Sequence, residues 1–357
     1  MRRCFELAAK GRGRVNPNPM VGCVVVKNGR IVGEGFHGSF GGPHAEVNAL
    51  RRAGRKARGA TLFVNLEPCA HHGKTPPCVD AIIKAGVKQV VAASTDPNPL
   101  VSGKGVGRLR GAGVTVRLGV LRHEAERLNE QFITFMREGI PFVGVKIAQT
   151  LDGRIADCTG TSKWITSDKA RTEAHRIRST YDAILVGANT IVHDDPHLTV
   201  RFTKGRHPLR VIVDGRLSVP TRSRVFDTRS AKTILFTSLR AVSSKREKVS
   251  TLLKRGVPVL ALGKSTRLDV LGMLHTLAAL GISSVLVEGG SATVSDFVKA
   301  KLARKIHCFV APKLLGGGLS SLTLVPHLGL RRAIRVENVR WKELGSDLLM
   351  EGSLQYV

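Results

Sequence analysis

The chain has 357 residues, 42% hydrophobic and 23% charged, which excludes disordered, collagen-like and low-complexity classes and favours two domains of roughly 150 to 200 residues each. No apolar run reaches the roughly 18 residues of a membrane span and no apolar leader follows Met1, so neither membrane insertion nor export is expected. Lys and Arg outnumber Asp and Glu by 56 to 27, a net charge of +29, but the excess is diffuse, with 22 basic and 10 acidic residues up to position 140 and 34 and 17 beyond it.

In chain order, strands are predicted over 21–26, 61–65, 89–93 and 114–118, with helices over 44–57, 77–85 and 123–136 between and after them. The first two helices begin at or just after a proline, whose fixed φ suits a first turn. Gly139-Ile140-Pro141 stops the last helix, and a strand over 142–148 follows, which places a domain boundary near residue 140. Further strands are predicted over 183–187, 210–214, 233–237, 257–262, 284–288 and 305–310, with a helix over 292–300. Alternation of this kind reads as layered α/β in both halves. The six cysteines are too few for a disulfide scaffold and suit a reducing, cytoplasmic setting in which some act as ligands.

The chemistry concentrates in Pro43-His44-Ala45-Glu46 and Glu67-Pro68-Cys69, followed after eight intervening residues by Cys78. One imidazole and two thiolates make a three-ligand zinc site with an open fourth position, which is the catalytic arrangement and lowers the pKa of bound water toward neutrality. Glu46 is not needed as a ligand and is free to carry a proton to a leaving amine. The pattern follows the H-x-E and P-C halves of the zinc nucleobase deaminases but widens the final cysteine spacing. Taken singly, His44 could be a helix cap and Cys69 and Cys78 buried small residues; their order and placement argue against that. The intervening cationic, hydroxyl-bearing segment 71–77 can approach a phosphate, while zinc ligation by His71 or His72 is the rival reading.

Three runs, Asn16-Pro17-Asn18-Pro19-Met20-Val21-Gly22-Cys23, Gly41-Gly42-Pro43-His44-Ala45-Glu46-Val47 and Glu67 through Cys78, closely resemble the bifunctional riboflavin-biosynthesis deaminase-reductases. The resemblance continues through Lys146, Leu151-Asp152-Gly153-Arg154, Ser162-Lys163-Trp164, Asp194-Asp195-Pro196-His197-Leu198-Thr199-Val200-Arg201 and Val287-Glu288-Gly289-Gly290. It implies a cytidine-deaminase-like three-layer domain over 1–140 and a dihydrofolate-reductase-like domain over 141–357. It also implies one zinc per chain on His44, Cys69 and Cys78, with Glu46 catalytic and Asn18, His71 and Lys74 seating the substrate. The implied reactions are hydrolytic deamination of 2,5-diamino-6-(5-phosphoribosylamino)pyrimidin-4-one, then NADPH-dependent reduction of the ribosyl to a ribityl chain.

For the second half the residues alone say less. There is no G-x-G-x-x-G after a strand, and the apolar strand ending in Glu288-Gly289-Gly290-Ser291 is either a phosphate-holding helix start or only a tight turn. By resemblance, NADPH contacts fall on Ala148, Trp164, Thr190, Asp194, Gly215, Gly290, Ser291, Ala292, Thr293, Val294, Ser295 and Asp296. Substrate contacts fall on Lys146, Ser162, Arg178, Leu198, Arg201 and Glu288, the arginines suiting a phosphate by their fork geometry. The roles of Lys146 and Asp152 in proton donation stay open, and Gly316-Gly317-Gly318 reads as a flexible connection or a second phosphate loop. A phosphorylated pyrimidine is the expected partner and nucleic acid is not. Self-association through the reductase half, common in the family, is a further expectation.

Overall fold

The computed structural model describes residues 1–73, 75–98, 101–324 and 328–357, and divides into two compact units, Met1–Ile140 and Pro141–Val357. In the first unit α1 (Arg2–Ala9), β1 (Gly22–Lys27) and β2 (Arg30–Phe36) are followed by α2 (Ala45–Ala53), β3 (Thr61–Val64), α3 (Cys78–Lys84), β4 (Gln89–Ala92), α4 (Lys104–Gly111), β5 (Thr115–Leu118), α5 (Arg122–Leu128) and α6 (Glu130–Glu138). The sheet order is β2-β1-β3-β4-β5, with β1 antiparallel to both neighbours and β3, β4 and β5 parallel. Alternating β1 side chains enter opposite layers: Cys23 and Val25 pack with α2, α3 and α4, whereas Val24 packs with Cys4 and Leu7 of α1.

Several details differ from expectation. Strand β2 was not anticipated; it forms because Asn28 (φ 50°) and Gly29 (φ 72°) make the two-residue turn that a hairpin favours. The stretch 44–57 is α2 plus a 3-10 turn, Gly54–Ala57, and 123–136 is two helices meeting at Asn129. Asn129 is buried because its amide grips both backbone groups of Met20. Helix α2 lies so close on β2 that a Cβ at Gly33 or Gly35 would stand 2.3 Å from a backbone oxygen of the helix. That contact seats the start of α2, which carries His44 and Glu46.

The second unit contains β6 (Phe142–Thr150), β7 (Arg154–Ala156), α7 (Asp168–Arg178), β8 (Ala183–Gly187), α8 (Ala188–Asp194), β9 (Leu209–Val213), β10 (Thr233–Thr237), α9 (Leu239–Ser244), α10 (Arg246–Lys254), β11 (Val259–Ala261), α11 (Val270–Ala279), β12 (Ser284–Glu288), α12 (Ser291–Lys299), β13 (Ala303–Ala311), β14 (Leu319–Ser320), β15 (Arg335–Leu344) and β16 (Asp347–Gln355). Nine strands form one sheet in the order β11-β10-β9-β8-β12-β6-β13-β16-β15. Its first seven strands are parallel, and β16 and β15 close it antiparallel. Strands β10 and β12 are buried at every residue, as expected of parallel strands covered on both faces. Among the described residues no helix is long and apolar enough to cross a membrane.

Candidate functional site

Three chain segments converge in the first unit. His44 stands at the start of α2 with extended backbone, Cys69 follows β3, and Cys78 is the first residue of α3. Their ligand atoms all lie within 4.8 Å of one another, with His44 Nδ1 3.1 Å from Cys78 Sγ and 3.5 Å from Cys69 Sγ. A tetrahedral zinc with the usual bond lengths separates such ligand atoms by about 3.5–3.8 Å, so the donor set fits that metal in identity and spacing. With Nδ1 turned to the thiols, His44 Nε2 lies 3.3 Å from Thr75 Oγ1, a contact that fixes the ring. The Cys78 backbone N–H donates to Cys69 Sγ (3.4 Å). Hydrogen bonding by Cys78 is the largest influence holding the Cys69 thiol well below its ordinary value, and His44 lowers it further.

Glu46 is buried beside this cluster. Burial first, and the Cys69 charge next, push its carboxyl up to about 7. A bound cation acts in the opposite sense, favouring the carboxylate. The cavity that Glu46, His44 and Cys69 share is about 260 Å³ and is also lined by Asn18, His71 and Asp96. Asn18 is held from behind: its Nδ2 donates to His37 Nε2 (3.2 Å), while His37 Nδ1 donates to the Pro43 carbonyl (3.2 Å). That fixes one tautomer of His37 and leaves Asn18 Oδ1 as the acceptor. Lys74 lies outside the described residues.

Sequence reasoning missed His37, Asp96 and Glu67. Burial pushes the Asp96 carboxyl up to about 6. Glu67 is buried and its carboxylate accepts from the backbone N–H groups of Asp96 (3.2 Å), Gly103 (3.0 Å) and Val106 (3.0 Å). It therefore ties the Cys69 turn to the loop bearing Asp96. Glu67→Ala leaves three backbone donors unmet, those of Asp96 and Val106 buried, and is expected to cost on the order of 3 kcal/mol, read as a lower denaturant midpoint for the transition of the 1–140 unit. The only sequence signal was the carboxylate two positions before Cys69; its partners lie 29 to 39 residues away.

In the second unit Lys146 of β6 is in register with Glu288 of β12. Arg178, at the end of α7, donates Nε and Nη2 to the two Glu288 oxygens (3.0 and 2.9 Å) and Nη1 to the Thr199 carbonyl (2.8 Å). The fork read from sequence as a phosphate binder is thus engaged by a carboxylate of its own chain. Lys146 is half-buried near both, and desolvation lowers its pKa. Arg201 is exposed, and Leu198 is buried with φ 55°.

Of the expected NADPH residues, Thr190 and the 290–296 segment meet where β8 and β12 end. Gly290 begins α12, no side chain caps that helix, and the Gly290 N–H donates to Thr190 Oγ1 (3.1 Å). Gly289 has φ 147°, and a Cβ there would stand 3.0 Å from Thr190 Oγ1, so the turn is a cradle that a side chain would fill. Open amides at a helix start and a bare glycine turn fit a pyrophosphate. Ser162 Oγ reaches Asp194 Oδ1 (3.4 Å), Asp296 pairs with Arg267, and Ser295 Oγ accepts from the Thr323 N–H (2.9 Å). Ala148 lies on β6 in register with Phe309, and the Trp164 ring, 64% exposed, stacks on Arg171 (4.3 Å). Gly215 is needed for packing, because a Cβ there would lie 1.8 Å from the Thr266 carbonyl oxygen. The Asp152 carboxylate accepts from the N–H groups of Leu315 and Gly316, which anchors the glycine run at 316–318.

Residues 1–94 match the family model for the cytidine and deoxycytidylate deaminase zinc-binding region, and residues 141–350 match that for the RibD C-terminal domain. Over 354 residues the chain is 47% identical to the riboflavin biosynthesis protein RibD of Aquifex aeolicus, covering 98% of this chain and 96% of that one. A crystal structure of a diaminohydroxyphosphoribosylaminopyrimidine deaminase/5-amino-6-(5-phosphoribosylamino)uracil reductase from Thermotoga maritima matches with TM-score 0.86 at 45% identity, over 99% of this chain and 97% of that one. RibD of Acinetobacter baumannii matches with TM-score 0.89 at 36% identity, over 99% and 97%. The fold class is the α/β pair expected, a cytidine-deaminase-like unit followed by a dihydrofolate-reductase-like unit.

Proposed function

The chain belongs to the bifunctional riboflavin-biosynthesis deaminase-reductases, and from that premise we propose that residues 1–140 form its zinc-dependent deaminase domain and residues 141–357 its NADPH-dependent reductase domain. The protein is an enzyme of riboflavin biosynthesis that carries both activities and uses zinc and NADPH. Its first reaction converts 2,5-diamino-6-(5-phosphoribosylamino)pyrimidin-4-one to 5-amino-6-(5-phosphoribosylamino)uracil with release of ammonia; its second reduces the ribosyl to the ribityl side chain. The observation that carries this reading is the His44, Cys69 and Cys78 cluster opening on the same cavity as buried Glu46.

His44, Cys69 and Cys78 would hold the zinc, which when bound would supply a water acidic enough to be used near neutral pH. Glu46 takes the proton from that water and delivers it to the departing amine; its burial keeps the carboxyl out of bulk solvent. Asn18, fixed by His37, accepts from the pyrimidine edge, and His71, which lines the same cavity, is assigned to the phosphoribosyl arm together with Lys74. In the reductase domain NADPH supplies the reducing equivalent when bound. The open amides of α12 and the turn at 289–290 would hold its pyrophosphate, and Ala148, Trp164, Thr190, Asp194, Gly215 and residues 291–296 would line its site. Lys146, Ser162, Leu198 and Glu288 line the sugar, and Arg201 takes the phosphate. Arg178 holds Glu288 in place in this scheme.

The partner is this phosphorylated pyrimidine, and no nucleic acid is involved. A homo-oligomer built through the reductase domain is part of the proposal. Ligation by two thiolates requires reduced cysteines, which supports a cytoplasmic location. A coupled assay tests the assignment. Given the diaminopyrimidinone ribosyl phosphate, the chain is expected to release ammonia without NADPH and to oxidise NADPH once it is added. Ammonia alone would overturn the reductase assignment, and silence in both channels would overturn the deaminase assignment.

A further inference from the structure

The segment 197–201 belongs to no strand, yet its backbone is held at four successive points by side chains. Arg210 Nη1 donates to the His197 carbonyl (3.2 Å), and Arg178 Nη1 donates to the Thr199 carbonyl (2.8 Å). The other two contacts run the opposite way. The Val200 N–H donates to His207 Nδ1 (3.1 Å), and the Arg201 N–H donates to His175 Nδ1 (3.0 Å). A backbone amide can donate only to an imidazole nitrogen that carries no proton, so each contact requires a ring with a free lone pair on Nδ1. His175 is buried on α7, one turn before Arg178, and its ring packs against Phe202 at 4.6 Å between centroids. The charged groups facing it are Arg178, Glu288, Arg201 and Lys146, and burial first, then Arg178, lower its pKa to about 4.

We propose that His175, seconded by His207, is a positioning residue of the reductase: it fixes the Arg201 backbone so that the guanidinium is aimed at the phosphate of the incoming sugar. The inference rests on the assignment of Arg201 to that phosphate. Arg201 itself is exposed on a segment without strand pairing, and its guanidinium lies over the Phe202 ring (5.8 Å) that packs on His175, so its direction depends on where its own amide and that ring are anchored. Anchoring by side chains from α7 ties that direction to the helix that also presents Arg178 to Glu288. A long cation free to swing would meet the phosphate at an entropic cost that the anchor removes.

The test uses steady-state kinetics of the full chain with 5-amino-6-(5-phosphoribosylamino)uracil and with its dephosphorylated counterpart, following NADPH oxidation. Arg201→Ala sets the baseline and is expected to raise KM for the phosphorylated substrate while leaving the dephosphorylated one little changed. His175→Leu should reproduce that pattern, with KM for the phosphorylated substrate rising on the order of tenfold to a hundredfold and kcat changing far less, because the phosphate lies away from the reacting carbon. His175→Asn, whose Oδ1 can accept the same N–H, should recover most of the loss. If Arg201→Ala does not distinguish the two substrates, the assignment of Arg201 fails and the proposal falls with it. If Arg201→Ala distinguishes them and His175→Leu does not, or if His175→Leu weakens both substrates alike, His175 is structural and the proposal alone is overturned. Should His175→Leu not fold, His207→Leu, at an exposed residue on the neighbouring amide, is judged by the same criterion.

Discussion

Exchanging Glu46 for glutamine is expected to slow ammonia release by about a hundredfold to ten-thousandfold, the usual loss when a positioned acid–base group is removed. Glutamine keeps the volume of the buried side chain and leaves His44, Cys69 and Cys78 in place, so the variant should purify with its zinc. It cannot accept a proton from water or return one to an amine. The same chain contains its own control: NADPH oxidation with the aminouracil phosphate should proceed at the parent rate, because Lys146, Glu288 and the turn at 289–290 lie in the other unit. Metal content, ammonia release and NADPH absorbance together check the result. A variant that retains zinc and releases ammonia within a few-fold of the parent would sink the role given to Glu46. Loss of zinc would instead place the carboxylate among the groups that hold the metal.

The deaminase constellation was legible because its chemistry lies in short, ordered motifs. His44 and Glu46 share one helical turn, Glu67-Pro68-Cys69 is contiguous, and residue types alone name zinc ligands. What orients those groups was not legible. His37 meets Asn18 only because β1 and β2 form a hairpin, and that hairpin was overlooked although Asn28-Gly29 announces it. Strand β15 escaped because nearly all of its residues are exposed, so it carries neither alternation nor an apolar run; its pairing with β16 defines it instead. Glu67 and His175 were invisible for a related reason. Each acts on backbone N–H groups 26 to 39 residues distant, and a backbone amide leaves no mark in a sequence. Arg178 and Glu288 were visible as charged residues, but only the fold reveals that they face each other.

That pairing leads to the largest stability effect expected outside the zinc site. Arg178→Leu is expected to destabilise the reductase unit by about 3–5 kcal/mol, the range for leaving one member of a buried ion pair without its partner. Both side chains are only 9% exposed, and the guanidinium spends three N–H groups on Glu288 and the Thr199 carbonyl. Burial pushes the Glu288 carboxyl up, but Arg178 first and Lys146 next pull it down to about 2, against an ordinary value of 4.5. A folded-state value below the unfolded one means that this carboxylate contributes its stability above about pH 4.5 and loses it as the pH falls toward 2. The deficit of Arg178→Leu should therefore be full at neutral pH and shrink on acidification, since a protonated Glu288 no longer needs the cation. Denaturant midpoints of the reductase transition at pH 7 and pH 4 measure this. The paired variant Arg178→Met with Glu288→Met removes both charges and should recover much of the stability, as apolar replacements of buried pairs do. It should not recover reduction, because the carboxylate beside Lys146 would be gone. A paired variant as unstable as Arg178→Leu would show that the loss comes from the Thr199 contact and the packing of α7, and not from an uncompensated charge on Glu288.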